Sequence, residues 1–215
     1  MRAKYLNSLS SKVQLVHYLN ATGHFWEYCN RASVNISDDQ LIQKALLYLE
    51  FEDMPQLFDL YGKDRCRQVF EQQIKSKGKY YSNISFLLEA VVFNKSWRQY
   101  ITTDSLPSLS KGYIYNNIIT PSLQDLLGMK IYTTTVRTVY RDYYDIYCLL
   151  EAGLDFRIAL KYALDFTRHR CHTKSVLSTL ITPQLFEKEL DFDERMQPKH
   201  KVSPEEICER IKVEI

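Results

Sequence analysis

Asp142 and Asp145 stand three residues apart in the run Arg141-Asp142-Tyr143-Tyr144-Asp145-Ile146-Tyr147, so on a helix their carboxylates share one face. Twelve residues before Asp142 lies Lys130. It falls within a stripe of Leu123, Leu126, Leu127 and Ile131 spaced as one face of a helix. A lysine set among apolar neighbours must snorkel to water or find an anionic partner. Arg137 and Arg141, four apart, would repel each other on a helix unless an anion or a carboxylate sits between them. Two acids facing a lysine and two arginines could hold a metal–triphosphate, the acids taking the cation and the bases the phosphates. The same groups suit an ion-pair network joining two helices, and from spacing alone that is the plainer reading.

Other chemistry finds less support. His169-Arg170-Cys171-His172 offers metal-capable side chains, but no second pair follows at ligand spacing, so no metal site is expected there. The five cysteines are scattered and form no C-x-x-C, which argues against a disulfide framework or a zinc ribbon. Nothing in the sequence pairs a particular Cys with a His and an orienting acid, so a thiol nucleophile is unsupported. Charge is uneven. Residues 63–79 hold six bases against two acids, and residues 157–174 hold five bases against Asp165 alone. Each patch reads first as a solvated face, and secondarily as a nucleic-acid contact with Tyr80 and Tyr81 available to stack.

The elements that must position these residues are helices. Ser37 with Gln40 forms a capping box opening a helix whose Leu41, Ala45, Tyr48 and Leu49 share one face. Met54-Pro55 starts another, which Gly62 can close. Residues 63–77 and 82–100 make two further amphipathic runs parted by Gly78. The stretch 102–121 then loses the helical period and carries β-prone Tyr113-Ile114-Tyr115 and Ile118-Ile119. After Ser122 a helix is predicted to about Thr138, then others over 141–151, 155–168 and 174–181. Ser203-Pro204-Glu205-Glu206 opens the last. The expected fold is mainly α: an N-terminal helical bundle, residues 1–103, joined to a helical C-terminal subdomain, residues 104–215, with one or two short strands.

Whole-chain composition narrows the function classes. At 45% hydrophobic and 25% charged residues the chain is an ordinary globular one. A formal charge of +2 is too balanced for a protein living mainly on phosphate. The N-terminus has no apolar run of a signal peptide, and no stretch is long enough to span a membrane, so a cytoplasmic protein without membrane contact is expected.

The segment K-I-Y-x(4)-R-x(3)-R-D-Y-Y-D-I-Y-C-L-L, preceded by ITPSLQDLLGM, resembles the later catalytic motif of the AbiEii/AbiGii family. These are nucleotidyltransferase-like toxins of bacterial abortive-infection and toxin–antitoxin systems, in which a strand leads into a lysine-bearing helix followed by an R-D-x-x-D helix. The likeness covers about residues 113–152, and Ser203 to Ile211 is similar to that family's last helix. It implies that Lys130 contacts the nucleotide, that Asp142 is the acidic active-site residue, and that Asp145, Arg137 and Arg141 shape the site. The front, from His24-Phe25-Trp26 through SDDQLIQKALLYLEFEDMPQLFDLYGKDRCRQVF, resembles a small uncharacterised helical domain often encoded beside such toxins, a position typical of an antitoxin.

The chain departs from that pattern. The family's fold begins with a Gly-Ser segment and an Asp-x-Asp or Asp-x-Glu on a strand, which holds the catalytic metal. This sequence has no Gly-Ser dipeptide, and its one Asp-x-Asp is Asp191-Phe192-Asp193, on the far side of the motif. The resemblance therefore implies a toxin–antitoxin protein lacking the metal-binding Asp pair, with little catalysis and no cofactor alone. Its expected partners are a cognate toxin or antitoxin chain and RNA. The alternatives are a nucleotidyltransferase completed by a partner subunit, which would then use Mg²⁺ and a nucleoside triphosphate, and a nucleic-acid-binding helical regulator.

Overall fold

A computed structural model describes residues 11–24, 36–94, 114–115, 118–166 and 171–215. The chain divides into two compact units, Met1–Trp97 and Arg98–Ile215. The expected linker from 102, together with Phe25, Trp26, Arg168, His169 and Arg170, lies outside the described residues.

The front unit is helical throughout its described length. Helix α1, Lys12–Ala21, is capped by Ser11 and buries Leu15 and Leu19, an i, i+4 pair too short to stand out as a period in the sequence. Helix α2, Asp38–Tyr48, opens on the capping box of Ser37 and Gln40. Its buried face is Leu41, Ile42, Ala45 and Leu46. Tyr48 lies off that face and stacks on His24 with ring centroids 4.4 Å apart. A single turn, Phe51–Asp53, leads into α3, Met54–Tyr61, which carries Pro in its first turn and stops at Gly62, where φ is 83°. Helix α4, Lys63–Val69, continues into a wider turn over Phe70–Ile74. The chain then passes through Lys75–Tyr81, turning at Gly78 with φ 54° and ψ −120°. Helix α5, Ser82–Leu87, likewise runs on through Leu88–Phe93. Phe93 meets Phe70 at 5.0 Å and Phe58 at 6.1 Å between ring centroids, so the three closing helices share one aromatic core.

The rear unit begins with a two-stranded antiparallel ribbon, β1 Ile114–Tyr115 and β2 Ile118–Ile119, with Ile114 opposite Ile119. Helix α6, Leu123–Val136, starts at a capping box of Ser122 and Asp125. It is the central element, packed by α7, Tyr140–Glu151, by α8, Phe156–Phe166, and by α9, Thr173–Leu180. The approach of α8 is set by Gly128: a Cβ there would overlap the Tyr162 ring and stand 3.1 Å from the Ala159 carbonyl oxygen. A turn at Pro183–Leu185 and a short helix α10, Phe192–Met196, precede α11, Pro204–Glu214, whose cap pairs Ser203 with Glu206. Helix α11 lies along α7. Tyr143 stacks on Phe186 at 3.6 Å, Tyr140 meets Phe192 at 4.8 Å, and the Tyr140 hydroxyl donates to the Val202 carbonyl at 2.6 Å. Tyr140, Tyr143 and Tyr144 of α7 are thus part of the core. No helix among the described residues is long and apolar enough to cross a membrane.

Candidate functional site

The site is made by the bend between α6 and α7. Helix α6 ends at Val136, Arg137 is extended at φ −146° and ψ 145°, and α7 begins after Val139. Within so short a turn the second half of α6, from Lys130 on, lies against the first turns of α7. Lys130 Nζ donates to Asp142 Oδ1 at 2.9 Å and stands 2.6 Å from Asp145 Oδ2. From the turn, Arg137 donates through Nε to Asp142 Oδ2 at 2.9 Å and through Nη2 to Oδ1 at 3.4 Å. Asp142 is 1% exposed, and both its oxygens are taken. Its place in the first turn of α7 adds the favourable field of a helix N-terminus.

Burial alone would push the Asp142 carboxyl up, but hydrogen bonds from Arg137 and Lys130 outweigh it and hold the group below the ordinary carboxylate value. Desolvation pulls Lys130 down, and the two aspartates more than reverse this, raising its ammonium above the ordinary value. Two cations and two anions close a neutral network.

The structure therefore brings together Lys130, Asp142, Asp145 and Arg137. It leaves Arg141 out: that side chain is exposed and has no hydrogen bond or ion pair among the described residues. The helical spacing of Arg137 and Arg141 has no physical meaning, because the helix ends between them. Leu123 also departs from expectation. As the first residue of α6 it is 53% exposed, and the packed face is instead Leu127, Gly128, Ile131 and Thr134. Gly128 is what sequence spacing missed. Its one signal was an isolated glycine inside a helical pattern.

The donor set does not fit a divalent cation. Both oxygens of Asp142 point at cations and Asp145 is shared with Lys130, so a metal would meet an ammonium where it needs open carboxylate oxygens. Asp191-Phe192-Asp193 offers no substitute. Asp193 stands 2.7 Å from Lys188 and Asp191 3.1 Å from Arg195, and Phe192 is buried between them at the start of α10, not on a strand. The basic run of 63–79 is partly neutralised as well: Arg65 pairs with Asp39 at 3.2 Å, Arg67 with Glu71 at 3.4 Å and Lys75 with Glu89 at 2.8 Å.

Residues 47–207 match the model of a family described as the nucleotidyl transferase AbiEii toxin of a type IV toxin–antitoxin system. The matched range starts in α2, crosses both units and ends in α11. Neither the comparison with curated proteins nor that with solved structures found a match.

Proposed function

The chain belongs to the AbiEii nucleotidyl transferase toxin family, and from that membership we propose that it acts in a type IV toxin–antitoxin system by engaging a partner chain, with little nucleotidyl transfer of its own. One observation supports this most: the lysine and acids that would handle nucleotide and metal are already spent on one another in a neutral network. A triphosphate reaching Lys130 must displace Asp145, and a metal must displace both Lys130 and Arg137 from Asp142. The second exchange strips two cations from a buried carboxylate, and further acids would be needed to share the metal. The sequence offers no Asp-x-Asp before the motif to supply them. What these side chains do well is fix the angle between α6 and α7.

Transferases of this kind draw much of their rate from carboxylates that hold the metal and triphosphate in line. Removing even one charge-stabilising group typically costs about 10²–10³ in rate. Purified chain incubated with each labelled nucleoside triphosphate, Mg²⁺ or Mn²⁺ and a pool of transfer RNA is expected to give no product above background. Product that disappears in Asp142→Ala and Lys130→Ala variants would overturn the proposal. Asp145, 35% exposed, is the group most easily exchanged for a phosphate. That favours, as a second reading, a site completed by a partner subunit, and product formed only when the partner is added would establish it.

A further inference from the structure

The front unit carries a surface that the site between α6 and α7 does not use. Between the extended end of α4 and the start of α5 lies Lys75-Ser76-Lys77-Gly78-Lys79-Tyr80-Tyr81, in which every residue from Lys75 to Tyr80 is exposed. The chain doubles back here, since Lys75 Nζ reaches Glu89 Oε1 on the returning helix at 2.8 Å. Gly78 makes the reversal possible with φ 54°, a conformation that side chains with a Cβ rarely adopt, and space beside it is open. The turn therefore projects three ammonium groups at alternate positions, with no acid within it.

Their pairing is unequal. Lys75 is answered by Glu89, whereas no carboxylate among the described residues lies within 4.0 Å of Lys77 or Lys79. The two tyrosines differ as well. Lys77 Nζ sits 5.7 Å from the centroid of the Tyr81 ring, and Tyr81 is half-buried. Tyr80 packs edge-on to it, centroids 4.7 Å apart at 84°, and stays 82% exposed. An aromatic face held open beside cations that no carboxylate answers among the described residues suits a ligand with both a planar ring and a phosphate.

We propose that the Lys75–Tyr81 turn is a docking tip for single-stranded nucleic acid, with Tyr80 stacking on a base and Lys77 and Lys79 meeting backbone phosphates. Stacking needs an unpaired base, which favours a single strand over a duplex. An anionic bilayer is a poorer fit, because the tip has no aliphatic side chain to enter the acyl region. An acidic peptide would use the lysines but leave the open ring without a role. This inference stands apart from the catalytic reading, because it rests on the front unit alone.

The test is fluorescence anisotropy of the full chain with a labelled 20-nucleotide single-stranded RNA across a salt series. Log affinity is expected to fall linearly with log salt, and Lys77→Ala/Lys79→Ala should flatten the slope by about 1.4, at roughly 0.7 per lost phosphate contact on a single strand. Tyr80→Ala should weaken binding on the order of 5- to 150-fold with the slope kept, while Tyr80→Phe stays near the parent. Glu89→Gln, which frees Lys75, should tighten binding and steepen the slope. These side chains are exposed, and matching circular dichroism would show that the fold is intact. No binding by the parent chain, or binding that ignores both Tyr80→Ala and the lysine pair, would overturn the proposal. So would binding to phosphatidylserine-containing vesicles that the variants abolish while oligonucleotide binding persists.

Discussion

Taking the charge from Lys130 leaves Asp142 buried with Arg137 as its one remaining cation among the described residues. Breaking a buried pair by removing one partner costs about 3–5 kcal/mol, and the surviving Arg137 contact places Lys130→Met near the lower end. Asp142→Leu is milder, about 1–2 kcal/mol, because Lys130 keeps Asp145 and the Arg137 side chain, 62% exposed, turns to water. The double variant leaves no fully buried charge unpaired, only the partly exposed Asp145 and Arg137, so urea unfolding should show it losing clearly less than the sum of the singles. Full additivity would sink the claim that the four groups act as one network. Titration tests the same point. Asp142 is held below its ordinary 3.8, so its contribution is present above that value and is lost as pH falls through the lower folded one. Lys130 is raised above 10.5, so its contribution is complete below that value and is lost as pH rises through the higher folded one. The contribution of this network should plateau between these limits, and Asp142→Leu should flatten the acid limb.

Element geometry decides which of these side chains can meet, and Gly128 is its tightest point. Gly128→Ala puts a methyl into the Tyr162 ring and close to the α8 backbone, for which overpacking typically costs about 1–3 kcal/mol. Thermal unfolding should record that loss despite alanine's better helix propensity; an unchanged or raised Tm would mean that α8 simply moves away. Ser122→Ala, removing the cap of α6, should cost about 1 kcal/mol. The caps at Ser37, Ser122 and Ser203 were legible because a hydroxyl three residues before a Gln, Asp or Glu leaves few alternatives to a helix start. The Lys130–Asp142–Asp145 cluster was legible because both acids keep helical register on α7. Arg141 and Leu123 were not, since both depend on where a helix ends, and periodicity does not fix ends. Tyr48 misled for a related reason: the buried face of α2 is rotated by one residue from the stripe read through it. Gly128 was visible only as a lone glycine, and its meaning depends on Ala159 and Tyr162 of α8, more than thirty residues away.

At the scale of the whole chain, the family match runs from 47 to 207 across both compact units, so membership belongs to the assembled molecule rather than to the motif alone. Each unit nevertheless has a buried core of its own: Phe51, Phe70 and Leu41 in the front, Tyr140, Tyr143, Phe156 and Phe186 in the rear. Units with separate cores can unfold as separate cooperative steps. The sequence supplies a built-in test, because both tryptophans, Trp26 and Trp97, fall within the first unit. Tryptophan fluorescence reads the front, whereas far-ultraviolet circular dichroism reads helices throughout. Urea titration is expected to show two dichroism steps, of which only one coincides with the fluorescence change. Lys130→Met should then shift the other step to lower urea and leave the fluorescence midpoint in place, since its ion pairs lie wholly within Arg98–Ile215. Coincident curves for the parent chain, or a fluorescence midpoint that moves with Lys130→Met, would show instead that the two units fold as one and that the α6–α7 network supports the whole molecule.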